Sequence, residues 1–189
     1  MTRWKPDAAG RLTAAALALF DEQGYDATTV AEIAERAGLT KRTFFRHFED
    51  KREVLFGGSE ELLRRWEEAV AEAPPGAAPL AAVAAGFAPL AEMFEERHAF
   101  ARVRARVVEA NPELQERELM KLQRLADVVS AALRARGVAG NEAVLAAQAG
   151  VTVFHVAFAR WVAQSDPAAF GGLLEESLQE LRGLAAAGG

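Results

Sequence analysis

An all-α fold is what this chain predicts, on three observations. No stretch alternates apolar and polar residues as a half-buried strand does. Apolar residues instead recur at three- and four-residue spacing almost throughout. Helix punctuation is frequent: Thr, Asp or Asn before apolar runs, Gly after them, and Pro at openings and breaks. The expected architecture is about nine helices, with a three-helix domain over residues 1–50 and a larger helical domain over residues 51–189.

The first helix is amphipathic from Leu12 to Phe20 and ends at Gly24-Tyr25. Thr28 or Thr29 caps the second, because a threonine oxygen accepts from a free first-turn N–H. Val30, Ile33, Ala34 and Ala37 then face a small core. Gly38 supplies the positive φ of a sharp helix exit. Thr40 caps the third helix and leaves Lys41, Arg42 and Thr43 in its exposed first turn. Phe44 and Phe48, four apart, anchor that helix inward; Phe45, Arg46 and His47 fall on other sides.

Residues 29–51 are therefore a helix, a tight turn and a second helix opening on a basic pair, the helix-turn-helix arrangement used to reach DNA base edges. From Thr40 to Phe48 the third helix has no acid, although acids are frequent elsewhere. Arg and Lys match the O6 and N7 acceptors of guanine, and Thr suits a base edge or the thymine methyl. The candidate DNA contacts are Thr29, Thr40, Lys41, Arg42, Thr43, Phe45, Arg46, His47 and Lys51. Lys51, at the start of the next helix, is placed to hold a phosphate. Arg3 and Lys5 are candidates for an N-terminal arm over the backbone or minor groove.

The motif Thr29-Val30…Ile33-Ala34…Ala37-Gly38-Leu39-Thr40…Thr43…Phe45…His47-Phe48…Lys51, followed by Val54-Leu55-Phe56, resembles the tetracycline-repressor (TetR) family of bacterial transcription regulators. The resemblance is specific over about residues 8–56 and is one of length and helical content beyond that. It implies sequence-specific DNA binding, default repression, homodimerisation on a palindromic operator, and release by a small-molecule effector. One departure stands out: the family most often has Tyr where this chain has Phe45. Loss of that hydroxyl's bond lowers affinity by about 0.5–1.5 kcal/mol without abolishing binding.

In the larger domain, Asp50 with Glu53 opens a helix running to about Ala71, and Pro74-Pro75-Gly76 breaks it. Another begins at Leu80. Asn111-Pro112 starts one that ends near Arg134, Arg136 and Gly137. Asn141 caps the next, to about Gln164, and Asp166-Pro167 starts the last. Gly57-Gly58 falls inside the first of these and marks either a late start or a hinge.

The last two helices are the expected homodimer surface, through Phe154, Phe158, Trp161, Leu174, Leu178 and Leu181. The resemblance implies an effector cavity between about Asp50 and Gln164, with Trp66, Met93, Phe94, Phe100, Phe154 and Phe158 as apolar candidates, each equally readable as core. Polar candidates are the pair His98 and Arg102, and the stripe Gln148, Thr152 and His155 at 4 and 3 spacing. A solvated face explains His98 and Arg102 equally well. Bonds across the dimer seam explain the stripe at least as well.

Composition narrows the classes. The chain has 189 residues and 0 cysteines, which excludes disulfides and thiolate metal sites. No metal or cofactor is expected, and no His pair, HExxH or phosphate loop suggests an enzyme. No run reaches the ~20 uncharged residues of a membrane helix, and the N-terminus is unlike a secretory leader, so a soluble, cytoplasmic protein without a membrane partner is expected. The net charge of −5 is uneven: residues 1–52 hold 9 basic and 8 acidic residues, against 13 and 19 in the remainder. An acidic body discourages non-specific DNA contact. The competing readings are a ligand-independent DNA-binding regulator or activator and, less favoured, a small-molecule binder that does not read DNA.

Overall fold

The computed structural model describes residues 8–165 and 169–187. Its helices are α1 (Ala8–Gln23), α2 (Val30–Arg36), α3 (Lys41–His47), α4 (Glu53–Phe56), α5 (Ser59–Glu72), α6 (Pro79–Ala84), α7 (Phe87–Phe94), α8 (His98–Glu109), α9 (Pro112–Ala135), α10 (Gly140–Ala163) and α11 (Phe170–Ala186). No strand occurs among the described residues. Among the described residues the about nine expected helices appear as eleven segments, because one is divided at Gly57-Gly58 and one at Gly86.

The chain forms two compact units. The first takes in the chain to Gly58 together with Val103–Glu116; the second takes in Ser59–Arg102 and the chain from Arg117. A single cut after residue 50 does not describe this division. The apolar run Val54-Leu55-Phe56 is buried, which keeps α4 with α1 in the first unit. Residues 103–116 join through side chains the linear sequence cannot pair: Arg104 Nε donates to the Leu55 carbonyl at 2.7 Å, and Arg106 meets Asp21 at 2.7 Å.

The core of the first unit is Leu12, Ala16, Phe20, Ile33, Ala34, Phe44 and Leu55. Thr29 is the N-cap of α2 in a full capping box: its Oγ1 accepts from the Glu32 N–H, and Glu32 accepts from the Thr29 N–H at 2.8 Å. Thr28 is buried instead, its hydroxyl donating to the Gly24 carbonyl.

In the second unit α10 packs on α11 and on α6, and α5 on α6 and α7. Trp66 is wholly buried, and its indole N–H donates to the Val83 carbonyl at 2.9 Å. Two glycines permit this. A Cβ on Gly86 would meet the Trp66 ring at 2.2 Å, and one on Gly150 would meet Val83 Cγ1 at 2.2 Å. Close approach of α6 and α10 therefore depends on the missing side chain at Gly150.

By length and composition α10 is long and apolar enough to cross a membrane. The core helix of a globular unit passes the same test when one side of it is buried against its neighbours. Ala143, Ala147, Gly150, Val153, Phe154, Ala157 and Trp161 are buried in the unit.

Two starts differ from expectation. Ala139 is the N-cap of α10, so Asn141 lies inside the first turn rather than capping it. Asn111 does precede α9, but its amide donates to the Val107 carbonyl at 2.6 Å. Arg3, Lys5 and the Asp166-Pro167 start lie outside the described residues.

Candidate nucleic-acid interface

The turn between α2 and α3 is held at both ends. Gly38 has φ 64°, and the Gly38 and Leu39 N–H groups donate to the Glu35 and Ala34 carbonyls at 2.9 and 2.8 Å. This is a Schellman closure, which uses two carbonyls a helix end otherwise leaves unpaired. The Arg11 guanidinium of α1 reaches over it and donates to the Ala37 and Gly38 carbonyls. A Cβ at Gly38 would lie 3.1 Å from Arg11, so backbone conformation and space both favour glycine.

Thr40 is the N-cap of α3, its Oγ1 accepting from the Thr43 N–H at 3.2 Å and pairing with Thr43 Oγ1 at 3.0 Å. Phe44 is fully buried and Phe48 nearly so, with ring centroids 5.5 Å apart. These anchors turn the opposite face outward. Lys41, Arg42, Arg46 and His47 are exposed, and Phe45 keeps 57% of its surface exposed, edge-on to Phe44.

The cations of this unit divide sharply. Arg11 is spent on the turn carbonyls, Arg36 on Glu22, Arg52 on Asp50, Arg104 on Leu55 and Arg106 on Asp21. Among the described residues of the unit, Lys41, Arg42 and Arg46 alone make no hydrogen bond or ion pair with it. All three lie on α3. An unpaired cation on an exposed helix face is free to meet phosphate or a base edge without breaking an existing bond.

Lys51 falls on the other side of that division. Its ammonium donates to the Tyr25, Thr28 and Asp26 carbonyls at 2.7, 3.1 and 3.4 Å and lies 4.2 Å from the Tyr25 ring centroid. With three donors engaged, it pins the α1–α2 loop to the chain after α3. Sequence made lysine's charge and position legible, but not these non-local carbonyl partners, which give Lys51 a structural task beside the expected phosphate contact. Burial pushes the Tyr25 phenol well above its ordinary range, with the Glu113 and Asp50 carboxylates adding to the shift. Thr29 is likewise occupied, donating to Glu32 at 2.7 Å while it caps α2.

The expected effector residues separate in the second unit. Gln148, Thr152 and His155 lie on the exposed side of α10, with Gln148 donating to Gln123 of α9 at 3.4 Å. They do not line an interior site in this chain. The opposite side of α10 carries the apolar burial, so this polar stripe is its outer face. Trp66 is core. Phe94 contacts Phe154, Phe158, Trp161 and Phe170 in one aromatic cluster, and His98 sits edge-on to Trp161 at 4.8 Å with Nε2 3.0 Å from the Trp161 carbonyl. Arg102 is half-buried on α8, one turn after His98.

Phe154, Trp161, Leu174 and Leu178, expected at a dimer seam, are buried within the unit, with Phe158 and Leu181 packed at its edge. α10 and α11 satisfy each other's apolar faces inside one chain. A second copy has only their outer faces to meet.

An exposed third helix on a compact three-helix core, with a separate helical unit, is a helix-turn-helix arrangement. Residues 12–57 match the bacterial regulatory proteins of the tetR family. The HTH-type transcriptional regulator TcmR of Streptomyces glaucescens is 42% identical over 72 residues, covering 38% of this chain and 32% of that one. The match thus spans about a third of that relative's length. FadR of Thermus thermophilus, a TetR-family transcriptional repressor solved with lauroyl-CoA, is 25% identical with a TM-score of 0.56 over 92% of both chains. A TetR-family regulator from Syntrophomonas wolfei shares the fold, with a TM-score of 0.68 at 18% identity over 95% of both chains. The likeness to the tetR family of bacterial regulatory proteins is thus shown over residues 12–57.

Proposed function

We propose that this protein is a transcriptional repressor that binds a palindromic operator as a homodimer and is released by a small-molecule effector held in the second unit. The observation that carries the DNA-reading half is the concentration of the first unit's unpaired cations on α3. One such helix reads a few base pairs; two, related by a two-fold axis and about 34–36 Å apart, read a palindrome. The effector half is supported by the likeness to a repressor solved with lauroyl-CoA.

For the dimer we assign the outer face of α10. Leu145 and Val156 keep 71% and 43% of their surface exposed and share a stripe with Gln148, Thr152 and Ala159. Leu184 of α11 is 76% exposed. Gln148 and Thr152 then meet their symmetry mates, which gives the polar stripe its partners. We place the division of labour at residues 8–58 for reading and at the second unit for sensing and pairing.

The test is selection of bound DNA from a random pool, repeated with candidate effectors. A palindrome bound with steep salt dependence supports the reading. Enrichment of no sequence at low ionic strength overturns it. Binding that no effector weakens leaves a ligand-independent regulator.

A further inference from the structure

Among the described residues of the first unit, Phe45 is the one large apolar side chain left in water, with 57% of its surface exposed. Phe44 and Phe48 already fasten α3 to the core, so the fold does not need Phe45 for that task. The Phe45 ring stands edge-on to Phe44, centroids 5.5 Å apart and planes at 81°, a contact that restrains its direction. Single apolar side chains are common on protein surfaces, so exposure by itself decides nothing. Position does.

Lys41 and Arg42 lie one turn before Phe45, and Arg46 directly follows it, all three exposed. These are the cations that make no hydrogen bond or ion pair among the described residues of the unit. Residues three and four apart on a helix have Cβ atoms about 5–6 Å apart, so Arg42 and Lys41 flank the stem of Phe45. No acid occurs from Thr40 to Phe48 to oppose an anion there. A phenyl flanked by free cations suits a partner that is polyanionic outside and carries apolar groups within reach. Duplex DNA is such a partner. In its major groove the apolar group on a base edge is the thymine 5-methyl, and a phenyl is among the side chains that contact it.

We propose that Phe45 is a specificity-determining residue that reads one thymine in each half-site through its 5-methyl group. The inference deepens the DNA-reading half of the proposed function and rests on it. Spacing sets the place of that thymine. Successive bases lie about 3.4 Å apart along a strand, so side chains about 5–6 Å apart address bases one or two steps from each other. The thymine therefore lies within two steps of the base that Arg42 reads. A ring resting on the sugar–phosphate backbone would also cover apolar surface, but without regard to the base. Deoxyuridine separates the two cases, because it pairs as thymine does and lacks only the methyl.

The test uses the full chain and the palindrome enriched from the random pool, synthesised with each symmetry-related pair of thymines in turn replaced by deoxyuridine. Replacement at one pair, within two steps of the base whose preference Arg42→Ala relaxes, should weaken binding about fourfold per half-site, the worth of one buried methyl group. Phe45→Ala should bind the unmodified operator less tightly and treat thymine and deoxyuridine alike at that pair. Phe45→Leu, which keeps an apolar tip, should retain part of the difference, and it keeps the test open if Phe45→Ala folds poorly. An operator bound equally well with every thymine replaced overturns the proposal. So does a deoxyuridine penalty that survives Phe45→Ala, or an enriched half-site with no thymine at that place. Each of these outcomes leaves the proposed function standing. Enrichment of no sequence overturns the proposed function, and this inference with it.

Discussion

At the scale of single residues, Arg42 and Lys51 carry the same charge and do different work. Arg42 is exposed and unpaired, so Arg42→Ala should leave stability unchanged and relax base preference at one operator position by about 1–3 kcal/mol, read by binding to single-base operator variants. Lys51 is fastened to three carbonyls. Lys51→Ala should therefore cost stability, about 1.5–3 kcal/mol for the lost charged hydrogen bonds, seen as a lower denaturant midpoint without DNA present. An intact midpoint with weakened DNA binding would return Lys51 to a phosphate-contact role. Sequence reading found both cations and separated neither, because the partners of Lys51 lie 23 to 26 residues away.

At the scale of elements, two effects compete wherever a helical glycine becomes alanine. Alanine improves helix propensity by roughly 1 kcal/mol. Overpacking a filled core costs typically 1–3 kcal/mol. At Gly150 the new Cβ would meet a β-branched side chain at 2.2 Å, so overpacking wins and Gly150→Ala should lower the melting temperature. At Gly172 of α11 nothing lies within 4 Å, so propensity wins and Gly172→Ala should raise it. The helix-surface ion pairs add a pH dependence. Hydrogen bonds from Arg64 and then Arg65 lower Glu61 from 4.5 to about 2. Arg36 lowers Glu22, and the capping box with Thr29 lowers Glu32. A depressed carboxylate stabilises the fold above its unfolded value and loses that contribution as pH falls through the folded value. Melting temperature should therefore fall from about pH 4.5 toward 2, less steeply in high salt because these groups are exposed.

At the scale of the whole molecule, α4 ends at Phe56 and α5 begins at Ser59, with Gly57-Gly58 between them. We propose that this break lets effector binding alter the spacing of the two reading helices. The double variant Gly57→Ala, Gly58→Ala should bind operator while its effector response shrinks from the 5–150-fold range that a coupling of about 1–3 kcal/mol supports. Operator titrations with and without effector decide it; an unchanged response removes the hinge.

The all-α class, the capping threonines, the Gly38 turn and the exposed face of α3 were legible in the sequence, because each depends on neighbours three or four residues apart. Periodicity shows that a residue is buried without showing by what. So Phe154, Trp161, Leu174 and Leu178 read equally as a dimer seam or a monomer core, and packing of α10 on α11 within the chain decided for the core. The same limit hid the carbonyl partners of Lys51 and the joining of residues 103–116 to the first unit. Hydrogen bonds and desolvation are settled by whatever the folded chain brings within about 3 Å, and sequence separation carries no record of that.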